Sequence, residues 1–266
     1  MLNPVEGEIF CVDKPLRLTS FAIVKRVRGV LRSHLNHYNL KVGHAGTLDP
    51  LATGVLIIVT GHATKRIEEL QSGVKEYIAH IRLGETTPSF DLETEVDATF
   101  PWEHITREQV EQVLKQQFTG SIEQVPPAFS ACKVDGKPAY KLARRGQDVS
   151  IQPKTLVIDE IELLECRLPD IVVRVVCSKG TYIRALARDI GLALGSGAHL
   201  TGLRRTRVGE VSVDQCQSLD ALLEELHDQQ YVSPEQAEQE RVERERSENR
   251  ARALKMKEKR NKHNKQ

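Results

Sequence analysis

The chain has 266 residues, 39% of them hydrophobic and 28% charged, with a formal net charge of +1. That length holds one large domain or two ordinary ones. The longest apolar run, VLIIV at 55–59, is far too short to cross a bilayer, and MLNPVEGEIF at the start lacks the basic-then-apolar order of a secretory signal.

A cytoplasmic protein is therefore expected. Its five cysteines are odd in number, widely spaced and never in a CxxC pair, which argues against a disulfide framework and against structural zinc. His34 and His37 form the only close histidine pair, with no acid or sulfur following at ligand spacing, so no metal is expected. Charge is uneven: residues 1–232 carry 27 Lys and Arg against 30 Asp and Glu, and residues 233–266 carry 11 against 7. A slightly acidic body with a basic tail is compatible with a nucleic-acid partner, because only the contacting face must neutralise phosphates.

In chain order, EIFCV at 8–12 reads as a short strand delivering DKP at 13–15. Thr19 or Ser20 caps a helix whose apolar positions Ile23, Val24, Val27, Val30 and Leu31 repeat at helical spacing, with Lys25, Arg26, Arg28 and Arg32 on its other faces. GHAGTLDP at 43–50 reads as a turn, followed by the strand VLIIVTG, a helix from Ala63 to about Gln71, and a strand from Glu76 to Leu83. A capping box of Thr106 and Gln109 opens a helix over 107–118 that stops at Gly120. Residues 125–153 differ in kind: proline-bearing, poor in branched aliphatics and basic, they read as an inserted mobile flap. Strands follow at 155–165 and 171–177, then a helix from Thr181 with Ile183, Leu186, Ala187, Ile190 and Leu194 inward. LTGLRRTRVGEVSV reads as a basic knot feeding another strand, and LDALLEEL at 219–226 is the last segment with an apolar stripe. Beyond about 233 there is almost nothing to bury, so a solvated helix or disorder is expected for 232–266.

Three stretches stand out: GHAGTLDPLATG around Asp49, KEYIAHIRLG around Tyr77, and CSKGTYIRALARDIG around Tyr182 and Arg184. Taken alone, Asp49 before a proline fits an ordinary turn, and alternation in EYIAHIRL fits Tyr77 as core. In this order and at these distances, together with DKP, PPAFSACKVDGKPAY and GAHLTGLRR, the stretches resemble the bacterial TruB family of tRNA pseudouridine-55 synthases over about residues 8–220. The resemblance implies a mixed α/β fold with a central, largely antiparallel sheet flanked by helices and a site in a cleft across it. It also implies one catalytic domain at 1–231, with 125–153 as an RNA-gripping flap. Many members carry a further β-rich RNA-binding module, for which the charged segment after 231 shows no strand pattern.

What the resemblance implies chemically is isomerisation of uridine 55 in the TΨC arm of tRNA by a monomer, with the base flipped out of its stack. The reaction uses no redox step or phosphate energy, and the resemblance implies neither metal nor cofactor. Asp49 maps onto the family's catalytic aspartate, Arg184 onto its carboxylate-pairing arginine, and Tyr77 onto the tyrosine that stacks on the target base. Tyr182 and Leu203 match pocket-lining positions, His44 a histidine set against the rearranged RNA, and Lys14 a pocket-side cation. Lys133, Lys137, Arg144 and Arg145 are the flap residues expected to hold RNA.

Overall fold

The computed structural model describes residues 1–263 except 131, 135, 144, 146, 148 and 149, with backbone alone for 133, 134, 138, 143, 254 and 257–263. The chain begins with β1 (Ile9–Lys14), α1 (Ser20–Leu35), β2 (Val42–Ala45) and β3 (Ala52–Thr60). A 3-10 turn over Gly61–Arg66 leads into α2 (Ile67–Ser72), β4 (Lys75–Leu83) and the small pair β5 (Glu85–Thr86) and β6 (Ala98–Thr99). Next come α3 (Arg107–Gln117), β7 (Gly120–Gln124), the short hairpin β8 (Lys133–Val134) and β9 (Lys137–Pro138), and α4 (Ala139–Ala143). The last part holds β10 (Lys154–Arg167), β11 (Asp170–Cys177), α5 (Ile183–Ala193), β12 (Ala198–Val208), β13 (Val211–Ser212), β14 (Gln217–Ser218), α6 (Leu219–Asp228) and α7 (Pro234–His263).

One mixed sheet organises the molecule, in the order β14-β1-β3-β12-β4-β11-β10-β7, with β2 added beside β3 and β13 beside β12. Among the described strands of this sheet, only the β1–β14 and β3–β12 pairs are parallel, so the expected largely antiparallel sheet is what the chain forms. Helices α3 and α5 cover the part around β4 and β11, burying Val110, Leu114, Leu186 and Ile190 against Ile81, Val173 and Val175. Helices α1 and α6 pack against β1 and β3 through Ile23, Val27, Leu31, Leu222 and Leu226. Among the described residues, no helix is long and apolar enough to cross a membrane.

Several local expectations are met by their physical causes. Thr19 Oγ1 accepts from Ala22 N at the start of α1, and Thr106 and Gln109 form both halves of the capping box on α3. Others change. GHAGTLDP is not one turn, because Gly43, His44 and Ala45 pair with Val59, Ile58 and Ile57 as the end of β2. The basic knot after residue 200 is itself the central strand β12, which spans Ala198–Val208 and bonds to both β3 and β4. A central strand tolerates those arginines because each finds a partner: Arg204 pairs with Asp13 at 2.7 Å, and Arg205 donates to backbone carbonyls. Gly54 is required where β3 and β12 meet, since a Cβ there would lie 2.1 Å from Arg205 O.

Candidate active site

The turn after β2 is held from four directions. Ser20 Oγ donates to Leu48 O at 3.0 Å and accepts from Leu48 N at 2.9 Å; because Thr19 takes the cap of α1, this hydroxyl is left to tie the helix start to the turn. Lys14 Nζ donates to Pro15 O, Leu18 O and, at 3.4 Å, Pro50 O. Arg205 Nη2 donates to Gly46 O at 2.9 Å and Val55 O at 2.7 Å. Arg184, the second residue of α5, completes the set through Asp49 itself, with Nε 2.9 Å from Oδ2.

Arg184 is 4% exposed, so its charge must be met inside the protein. Beyond Asp49, its Nη1 donates to Ser89 O at 3.1 Å and its Nη2 to Phe129 O at 3.0 Å, while Asp91 Oδ2 lies 3.7 Å from Nε. Each edge of the guanidinium therefore has a fixed acceptor, a geometry that lysine's point charge does not reproduce. The start of α5 is fixed in turn by buried Gln124 of β7, whose side chain accepts from Tyr182 N at 2.9 Å and donates to Tyr182 O at 3.2 Å.

Asp49 sits at the floor of a cleft of about 650 Å³, whose walls include His44, Tyr77, Phe129, Tyr140, Tyr182, Arg184, Leu203 and Arg205. Protein packed around the Asp49 carboxyl raises its pKa; the Arg184 guanidinium opposes that shift, and Asp91 and Glu93 reinforce it, leaving it above the ordinary aspartate value. The Tyr77 phenol is also pushed up, first by burial and against the pull of the adjacent Arg205 guanidinium, so it is held neutral. Burial, and then Arg205, lowers His44. Its Nδ1 is buried with no hydrogen-bond partner among the described residues.

Six residues expected from the sequence thus share this cleft: Asp49, Tyr77, Arg184, His44, Tyr182 and Leu203. Lys14 is not brought to its wall. It is fully buried, its ammonium is spent on three carbonyls, and burial lowers its pKa to about 8 against the pull of Asp49. It supports the turn from behind. On the segment 125–153, Lys137 and Arg145 are exposed and stand off the cleft wall. Lys133 lies in β8, its side chain outside the described residues, and Arg144 lies outside them altogether. That segment reaches the cleft through Phe129, Ser130 and Tyr140 instead.

Sequence reasoning missed four groups here: Ser20 as a tie, Asp91 as a second acid beside Arg184, Arg205 beneath Tyr77, and Lys75 on the cleft wall. Lys75 donates to Gln71 O and Gly73 O, and burial, then Arg205, lowers it to about 8. Alternation along the strand separates Arg205 from Arg204, but only the strand's place in the sheet shows which of them lies by the cleft.

A family model described as TruB family pseudouridylate synthase, N-terminal domain, matches residues 32–183, and one described as the tRNA pseudouridylate synthase B C-terminal domain matches 184–244. Proteins named tRNA pseudouridine synthase B are similar at 66% identity in Phocaeicola vulgatus, covering 86% of this chain and 97% of that one. In Parabacteroides distasonis the identity is 65%, covering 83% and 95%. The solved structure of a Cbf5-Nop10-Gar1 complex superposes with a TM-score of 0.60 at 32% identity, over 84% of this chain and 55% of that one. This chain therefore spans about half the length of that solved chain. The family models and the named relatives, on this fold, show an isomerase of the pseudouridine synthase class. The chain belongs to the TruB family.

Proposed function

We propose that this protein converts uridine 55 in the TΨC arm of tRNA to pseudouridine, in the cytoplasm and as a monomer, with Asp49 as the reacting carboxylate. The observation that carries the reading is the Asp49–Arg184 pair at the floor of a cleft walled by Tyr77, Tyr182, Leu203 and His44. The relatives' name supports tRNA as the substrate.

In this reaction the bond from base N1 to C1′ breaks, the base turns, and C5 bonds to C1′; N1 gains a proton and the hydrogen on C5 is released. The carboxylate of Asp49 acts as nucleophile or base, held ready by Arg184. Tyr77 offers an aromatic face on which the flipped uracil stacks, returning about 1–3 kcal/mol of the cost of unstacking. Its hydroxyl lies against Arg205 and receives a proton only as the phenolate, a form that the guanidinium favours and burial opposes. Residues 1–231 act as the catalytic unit, with 125–153 closing on RNA and linked to the reacting pair through Phe129 O. The test is tritium release from tRNA labelled at C5 of uridine, with ribosomal RNA fragments beside it. No release from tRNA would refute the reading, and equal release from the fragments would refute the choice of RNA.

The raised pKa of Asp49 sets the pH profile. A reacting carboxylate must be ionised, so the single-turnover rate is expected to fall on acidification with an apparent pKa above the ordinary aspartate value of about 3.9. Asp91→Asn removes a like charge that helps raise Asp49, so the acid limb should move to lower pH. An unmoved limb would assign it to another group.

The distal charge makes a separate expectation. Helix α7 is acidic over 234–248, with six Glu against three Arg, whereas 249–266 carry eight Lys and Arg against Glu258 alone. The proximal part docks on the body, with Ala237 buried and Arg244 2.9 Å from Glu6. Truncation after Glu248 leaves that docking intact. It should weaken tRNA binding at low salt, flatten the salt dependence by about 0.7–0.9 for each phosphate that is no longer neutralised, and leave the saturated rate unchanged. Matching salt slopes would show that the tail does not touch RNA.

A further inference from the structure

Between Asp49 and the preceding acid, Asp13, the chain has no carboxylate at all: residues 14–48 hold seven Lys and Arg and no Asp or Glu, inside a body that is otherwise net acidic. Helix α1 lies in this stretch. Its inward side buries Ile23, Val24, Val27 and Leu31. Phe21, Lys25, Arg28 and Arg32 follow at steps of four, three and four residues, which places them in one stripe along the flank of the buried side, Phe21 and Lys25 exposed and Arg28 and Arg32 half-buried. The stripe is about 16 Å long at 1.5 Å per residue. Among the described residues none of these three cations has an ion-pair partner, although Arg32 also donates weakly to Leu40 O at 3.4 Å.

The stripe begins at the cleft. Phe21 is a wall residue of the candidate site, yet 62% of it is exposed, and the Arg28 guanidinium lies 5.7 Å from its ring centroid. An exposed phenylalanine beside a cation, at the rim of a cleft floored by a carboxylate, offers no packing benefit to the fold. It does fit a nucleobase, which stacks on an aromatic face, followed by a backbone whose phosphates meet the cations beyond.

We infer that this flank of α1 is an RNA track: Phe21 stacks on a base flanking the flipped uridine, and Lys25, Arg28 and Arg32 neutralise phosphates of the same strand. This rests on the reading of the protein as a tRNA-modifying enzyme, and it adds a binding surface to it. The track is distinct from the interior groups of the same acid-free stretch, Lys14 and Ser20, which hold the Asp49 turn.

Two variants separate the parts. Phe21→Ala is expected to weaken tRNA binding by about 5- to 100-fold with the salt slope unchanged, as for a lost base stack, and Phe21→Trp to restore it. The triple variant Lys25→Gln, Arg28→Gln, Arg32→Gln is expected to lower the slope of log affinity against log salt by about 2. Both should keep a wild-type melting transition, and the triple variant, whose residues stand outside the cleft wall, a saturated single-turnover rate within about twofold of wild type, since binding and chemistry are separated there. Lys115→Gln with Arg167→Gln, exposed cations on α3 and the far end of β10, is the control. Wild-type binding by both track variants, with tritium still released by the wild-type enzyme, would overturn the track and leave the function standing. Equal slope loss per charge in the control pair would overturn it too, by showing that attraction is spread over the surface. Absence of tritium release from the wild-type enzyme would instead refute the function.

Discussion

Asp49→Asn is expected to abolish turnover while leaving tRNA binding near wild type. The substitution keeps the size of the side chain and the ties that hold the turn, since Ser20, Lys14 and Arg205 bond to the backbone of residues 46–50 and not to the carboxylate. It removes the charge of the carboxylate paired with Arg184, the group proposed as nucleophile or base. Arg184 does not become an orphan: it keeps Ser89 O and Phe129 O, with Asp91 at 3.7 Å. The melting temperature should therefore stay close to wild type, and a loss of rate is chemical in origin. Single-turnover tritium release under saturating enzyme measures it. Retention of about a tenth of the wild-type rate would sink the assignment, because loss of an obligatory reacting group typically costs several orders of magnitude.

The second large effect is expected from Arg184→Lys. Charge is kept, so a purely electrostatic role predicts little change. Geometry predicts a great deal. The guanidinium meets Asp49, Ser89 O and Phe129 O along three directions, and an ammonium on a flexible stem cannot hold all three at once. At least one buried acceptor is left unmet, at about 1–3 kcal/mol, and Asp49 loses its fixed orientation. A fall of about 10²–10³-fold in the single-turnover rate is expected, the range for a preorganised electrostatic contact, with a lowered melting temperature. Phe129 belongs to the segment 125–153, so the variant should also loosen that segment, read as faster proteolysis there. A fully active, fully stable lysine variant would remove Arg184 from the reaction.

The surroundings of the Asp49–Arg184 pair keep it poised and not inert. Burial of the Asp49 carboxyl outweighs the attraction of Arg184, and Asp91 adds to the shift, so Asp49 is raised. A raised carboxylate is a stronger base and nucleophile once ionised. The arrangement keeps Asp49 reactive at the cost of an acid limb closer to neutral pH.

Much of this protein is legible in its amino-acid order, for identifiable reasons. The helical spacing of Ile23, Val24, Val27 and Leu31 and the capping box at Thr106 are local, so α1 and α3 follow from neighbours a few residues apart. Asp49, Tyr77 and Arg184 are reached through the resemblance of three separate stretches, not from chemistry visible in any one of them. Alternation alone fits Tyr77 as core and the resemblance makes it a stacking surface, and the structure shows it both buried and on the cleft wall. What only the tertiary structure decides is where each charge is spent. In the sequence, Lys14 is expected as a pocket-side cation, Arg205 is one arginine of a basic knot, and Lys75 carries no signal of its own. The sheet instead carries them inside, where Lys14 and Arg205 hold the Asp49 turn by its carbonyls and Lys75 holds the carbonyls of Gln71 and Gly73. Arg204 and Arg205 are adjacent in β12 and point to opposite faces, one to Asp13 and the other beneath Tyr77. The strand's alternation fixes that they differ, but only its pairing with β3 on one side and β4 on the other fixes which one lies beneath the cleft.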